Sequence, residues 1–172
     1  KASRKPTTNL MAYECFLRAD ALPVGVPEAA AEGRRLCQTA IALDPGYSRL
    51  YAYLADSYTL EWIYDYESVD VLLDKALETA KKAVSLDQDD EFCQAMLARA
   101  YLYRRSYKLA EFHYLKAHSI NPNNPSVNAG LGIFYGFFGD SERALSCFQE
   151  ALALNPHNTT TWYWRNRAGS AA

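Results

Sequence analysis

Residues 125–156 read PSVNAGLGIFYGFFGDSERALSCFQEALALNP. Leu131, Gly132 and Tyr135 stand at i, i+1 and i+4. Gly139-Asp140 interrupts the middle. Ala144, Phe148 and Ala151 then follow at helical spacing, and Asn155-Pro156 closes the unit. The pattern predicts two short amphipathic helices joined by a tight turn. One unit upstream the layout returns as Leu97, Ala98, Tyr101, Ala110, Tyr114, Ala117, Asn121 and Pro122. Leu97 to Leu131, Tyr101 to Tyr135, Ala117 to Ala151 and Pro122 to Pro156 are all 34 residues apart. A fixed period of that length is the mark of stacked helical pairs.

These residues resemble the tetratricopeptide repeat family. Leu131, Gly132, Tyr135, Ala144, Phe148, Ala151 and Pro156 meet its pattern, and Asn128 departs from it where the family carries Trp or another bulky residue. The resemblance implies an all-α fold, a right-handed α-α superhelix. We expect about four helix pairs plus a C-terminal helix.

Upstream, the first pair is read at 9–46, with Thr8 or Asn9 as N-cap and Leu10, Tyr13, Phe16, Leu17 and Ala21 as its apolar positions. The Leu22 to Pro27 stretch breaks the first helix, and Pro27 opens the second. The second pair spans 47–89. It carries Tyr51, Leu54, Ala55 and Tyr58, then Ala76, Ala80 and Ala83. Ala40 to Ala83 is 43 residues, so this pair is longer; both of its helices are expected to be extended, with Asp65 to Ser68 in the turn and Ser68 as N-cap. Its closing proline is replaced by Gln88. The third and fourth pairs span 90–123 and 124–157, a partial capping helix spans 158–168, residues 1–8 read as linker and 169–172 as a frayed tail. Lys1 opens the chain without a Met, which reads as a part of something longer.

Composition narrows the function. Eighteen Lys and Arg against twenty Asp and Glu leave a charge of −2, without the basic excess of a nucleic-acid binder. No apolar run of about 18 residues is present to span a bilayer. Cys15, Cys37, Cys93 and Cys147 form no C-x-x-C pair and fall on apolar helical faces, which favours reduced thiols and a cytoplasmic setting. A Cys15–Cys37 bridge within the first hairpin is the alternative.

No catalytic set emerges, so no enzyme, metal or cofactor is expected. His113 and His118 are five residues apart, off the H-x-x-x-H spacing. G-x-S-x-G and G-x-x-x-x-G-K are absent. The pair Arg104-Arg105 reads as a solvated face.

A surface remains. In the family the first helices line a concave groove. The repeat register places Arg49, Ala52, Asp56 and Thr59 there from the second pair. It adds Phe92, Ala95, Arg99 and Tyr103 from the third, and Ser126, Ala129, Ile133 and Phe137 from the fourth. Alanine at three equivalent places is expected to leave room for a peptide or helix, with Arg99, Tyr103, Ile133 and Phe137 as anchors. The family's chaperone-binding members hold a carboxylate with Lys and Asn at these positions. Here only Arg99 has the right charge, which speaks against such a clamp.

The stretch from Lys5 to Ala19, with Ala12, Tyr13, Leu17 and Arg18 at its centre, resembles the start of such segments in bacterial signalling proteins. Those follow a nucleotide-cyclase or winged-helix domain. The implied role is a non-catalytic interaction module, with a protein or peptide partner or the preceding domain of the same protein. Two alternatives stand beside it. One is self-association through Trp162, Tyr163 and Trp164. The other is sensing of a small ligand by the aromatic groove and the stretch from Trp62 to Tyr66.

Overall fold

The computed structural model describes residues 7–23, 26–64 and 70–156, and among them every regular element is an α-helix. The eight helices of the described residues alternate as hairpins and fall into two compact units, divided between Gln88 and Asp89. The division comes where the closing proline is missing.

The first unit holds α1 (Leu10–Asp20), α2 (Pro27–Leu43), α3 (Ser48–Tyr64) and α4 (Val71–Leu86). Asn9 caps α1, its side chain accepting from the amide of Ala12 and donating to the carbonyl of Leu43 at the far end of α2. Thr7 also joins the fold, its hydroxyl donating to the Asp44 carboxylate. That hydroxyl accepts from the Asn9 amide, so Thr7, read as linker, contacts the first hairpin. The core gathers Ala12, Phe16 and Ala19 of α1 with Leu36, Cys37 and Ala40 of α2 and Tyr47, Leu50 and Leu54 beyond. Leu10, Tyr13 and Leu17, expected on the apolar face, are exposed at 72%, 37% and 48%. Helical spacing admits two stripes on α1, and the one through Ala12, Phe16 and Ala19 meets α2.

The second pair is longer than the third: α3 has 17 residues against 13 for α5, and α4 has 16 against 14 for α6, while α2 of the first pair also has 17. Ser68 is not the N-cap of α4. That position belongs to Asp70, which makes no side-chain cap bond, and Ser68 and the expected turn lie outside the described residues. Ala76, Ala80 and Ala83 are fully buried. Their equivalence to Ala110 and Ala117, and to Ala144 and Ala151, follows the sequence register.

The second unit holds α5 (Glu91–Tyr103), α6 (Tyr107–Ile120), α7 (Pro125–Phe137) and α8 (Ser141–Leu154). Asp90, Asn124 and Asp140 cap α5, α7 and α8 by accepting backbone amides, as short polar side chains do at helix starts. Helix α7 packs against α8, α6 and α5. Two glycines permit this. A Cβ on Gly130 would lie 2.5 Å from the Tyr114 ring, and one on Gly132 would lie 2.9 Å from the Phe148 ring.

Every second helix ends alike. Asp44, Asp87, Asn121 and Asn155 have φ between −144° and −148° with ψ between 77° and 100°. Asp87 does so without a following proline. A residue before proline is pushed out of the α region, but in the second pair the same exit is reached without that push.

Candidate functional site

The register-selected residues separate by exposure. On α3, Arg49 and Asp56 are half-buried, whereas Ala52 and Thr59 are buried, the Thr59 hydroxyl donating to the Ala55 carbonyl. Arg49 and Asp56 both act on Asp20 at the end of α1. Desolvation pushes the Asp20 carboxyl above its ordinary range, Arg49 opposes the shift and Asp56 adds to it.

On α5, Phe92, Arg99 and Tyr103 are half-buried and Ala95 is buried. On α7, Ser126 and Phe137 are exposed, Ile133 is half-buried and Ala129 is buried. The structure joins Tyr103 to Phe137, edge to face, with ring centroids 5.9 Å apart. Ile133 packs on the core of Ala129, Ala144, Phe148 and Ala151. The expected room above the alanines is not there. Ala52, Ala95 and Ala129 retain 0%, 1% and 3% of their surface, so they offer almost none to a partner. An alanine at a close helix crossing is covered by the helices that its small size lets approach.

The departure at Asn128 also resolves. Asn128 is buried, its Oδ1 lies 3.0 Å from His118 Nδ1, and its amide donates to the Pro122 carbonyl. Gln94, one repeat upstream, is likewise buried, with Oε1 2.7 Å from His113 Nδ1. Both histidines come from α6. Two carboxamide–imidazole contacts thus occupy the place of a bulky apolar residue, and hydrogen bonding offsets the cost of burying them. The signal was present in the sequence as amides at matching repeat positions.

His113 stacks on Tyr101 at 5.5 Å and meets the edge of Phe112 at 5.1 Å. Burial, helped by Lys116, holds its pKa below the ordinary 6.5. The folded protein therefore favours the neutral ring. Stability is full above the unfolded value and falls as pH drops through it towards the depressed folded value. The melting temperature is expected to fall from pH 7 to pH 5. His113→Gln should flatten part of that slope, as read by thermal denaturation.

None of the four cysteines is in a disulfide, so the bridge between Cys15 and Cys37 is not made. Burial pushes the Cys37 thiol up to about 12. No group of three or more His, Cys, Asp or Glu side chains among the described residues could hold a metal ion, and no described helix is long and apolar enough to cross a membrane. His157, Trp162, Tyr163 and Trp164 lie outside the described residues.

Residues 125–158 match the family model of the tetratricopeptide repeat. That stretch is similar to one tetratricopeptide repeat. Solved structures extend the likeness to the fold. A thermophilic TPR protein of Thermus thermophilus matches with a TM-score of 0.67, over 84% of this chain and 73% of its own, at 21% identity. MamA matches at 0.55, over 84% of this chain and 77% of its own, at 19% identity. The TPR domain of Arabidopsis OM64 matches at 0.53, over 72% and 94%, at 20% identity. The all-α TPR fold is thereby shown. Among curated proteins, the peroxisomal targeting signal receptor of Saccharomyces cerevisiae (strain ATCC 204508 / S288c) is 26% identical over 146 residues, or 84% of this chain. The chain spans only 23% of that receptor's length. TPR proteins generally mediate contacts between proteins, and the family's fold is typically a non-catalytic one.

Proposed function

We propose that this TPR chain holds a peptide or short helix of another protein and catalyses no reaction itself. The observation that carries the reading is the Tyr103–Phe137 pair. It joins equivalent positions of two successive repeats, with Arg99 and Ile133 one helical turn back on the same helices. Aromatic and Arg side chains concentrate binding energy when a partner desolvates them. The yeast relative is by name a targeting signal receptor, which favours a segment of protein as the ligand.

We place the module in the cytoplasm, within a larger bacterial signalling or transcription-regulating protein. Its four cysteines form no disulfide, and the resemblance around Ala12, Tyr13, Leu17 and Arg18 implies that setting.

The test is capture from a displayed peptide library, followed by titration of the selected peptide. Arg99→Glu and Phe137→Ala should each weaken it by about tenfold or more, with helicity unchanged by circular dichroism. Undiminished affinity in both variants would reject this surface.

A further inference from the structure

The hairpin turns of the second unit carry a second surface, just past the ends of α5 and α7. Phe138 is 53% exposed, and Tyr107 is 38% exposed. Tyr107 meets Phe138 edge to face at 5.0 Å, and Phe138 leans on Phe134 at 5.0 Å. The aromatics of one turn are thus tied to those of the other. Arg104, Arg105 and Lys108 are exposed on the first of these turns.

The backbone adds an independent observation. The two turns are built alike: the Ser106 amide donates to the Tyr101 carbonyl, and the Asp140 amide donates to the Tyr135 carbonyl. In such a helix ending one residue adopts the left-handed conformation, usually glycine. The fourth pair uses Gly139, at φ 72°. The third uses Arg105, at φ 58°, the only described non-glycine residue with positive φ. A Cβ there crowds the backbone. The chain therefore keeps an exposed arginine, two residues before Tyr107, at a site where its own next repeat shows that glycine serves the turn. Strain of this kind concentrates at functional positions.

We propose that this turn edge docks an acidic peptide segment bearing a large apolar side chain. Arg105 and Lys108 would pair its carboxylates, and Phe138 and Tyr107 would take its apolar group. Charge selects the partner: the first turn carries Arg104, Arg105 and Lys108, and on the second Arg143 pairs with Asp140, so that Glu142 is the acidic side chain left against them. The proposal goes beyond the surface of Arg99 and Ile133 and stands without it.

The probe is a fluorescein-labelled dodecapeptide of Asp and Glu with a central Phe-Leu pair, titrated against the full chain by anisotropy. Controls replace Phe-Leu by Ser-Ser, or every acidic residue by Lys. Vesicles of phosphatidylserine in phosphatidylcholine form a third arm. The acidic Phe-Leu peptide should bind, and both peptide controls should lose about tenfold. Arg105→Gly should raise the melting temperature and yet weaken binding about tenfold, a combination that a purely structural arginine would not give. Lys108→Glu should weaken binding similarly at unchanged stability, while Arg99→Glu leaves it intact. Absence of peptide binding, equal binding of the Lys peptide, or binding to vesicles alone would overturn the proposal. So would a loss on Arg99→Glu with none on Arg105→Gly, which would assign the peptide to the α5 and α7 surface.

Discussion

Phe148→Ala is expected to lower the unfolding free energy by about 3–5 kcal/mol. Phe148 is 2% exposed and belongs to the core with Ala129, Ala144 and Ala151, against which Ile133, Tyr135 and Leu152 pack. The ring fills space that its neighbours leave by being small. Gly132 contributes no side chain, and its missing Cβ position is 2.9 Å from the ring. The alanines and the glycine have no side chain that could move into the vacated volume, and Ile133, Tyr135 and Leu152 could fill it only in part. The cavity therefore persists, and its cost adds to the lost transfer energy. Denaturant titration read by circular dichroism gives the difference. Leu109→Ala, at a site 46% exposed, serves as the control and should stay within about 0.5 kcal/mol. A loss below about 1 kcal/mol for Phe148→Ala would mean that the hairpin can close over the gap.

Gly130→Ala should destabilise by about 1–2 kcal/mol, the sign opposite to helix propensity. Propensity alone favours the alanine by about 1 kcal/mol. Against it, the new Cβ would sit 2.5 Å from Cε1 and 3.1 Å from Cζ of Tyr114. Tyr114 is 1% exposed, and its ring lies against Phe134 at 6.2 Å, so it cannot swing into solvent. Overpacking of this kind typically costs about 1–3 kcal/mol. Gly136 is the internal comparison. It lies on the same helix with nothing within 4 Å of its Cβ position, so Gly136→Ala should stabilise by about 0.5–1 kcal/mol. A double-mutant cycle with Tyr114→Leu should show coupling of about 0.5–3 kcal/mol at Gly130 and none at Gly136. Equal effects of the two alanines would place the specificity of the packing elsewhere.

The two glycines show how far a sequence can be read. Gly132 sits at the family's glycine position and was legible as a close approach. Gly130 and Gly136 look alike in the sequence, yet one touches a buried ring and the other touches nothing. The difference depends on which face of α7 meets α6, which periodicity narrows without deciding. The same reason explains α1, where Leu10 and Leu17 stayed outside while Ala12 and Ala19 went in. It also explains the α5 and α7 surface, where the anchors were placed from the register but the alanines between them proved to be covered.

The order of elements, the 34-residue offset, the longer second pair and the small residues of the second helices were all determined by the sequence, because they follow from local spacing and side-chain size. Tertiary structure alone decided that Gln94 and Asn128 bury their amides against histidines of α6, and that Arg105 takes the backbone conformation of Gly139. A hydrogen bond between distant residues, or a strained turn that its surroundings hold in place, depends on which groups are brought together, and only the folded packing supplies that.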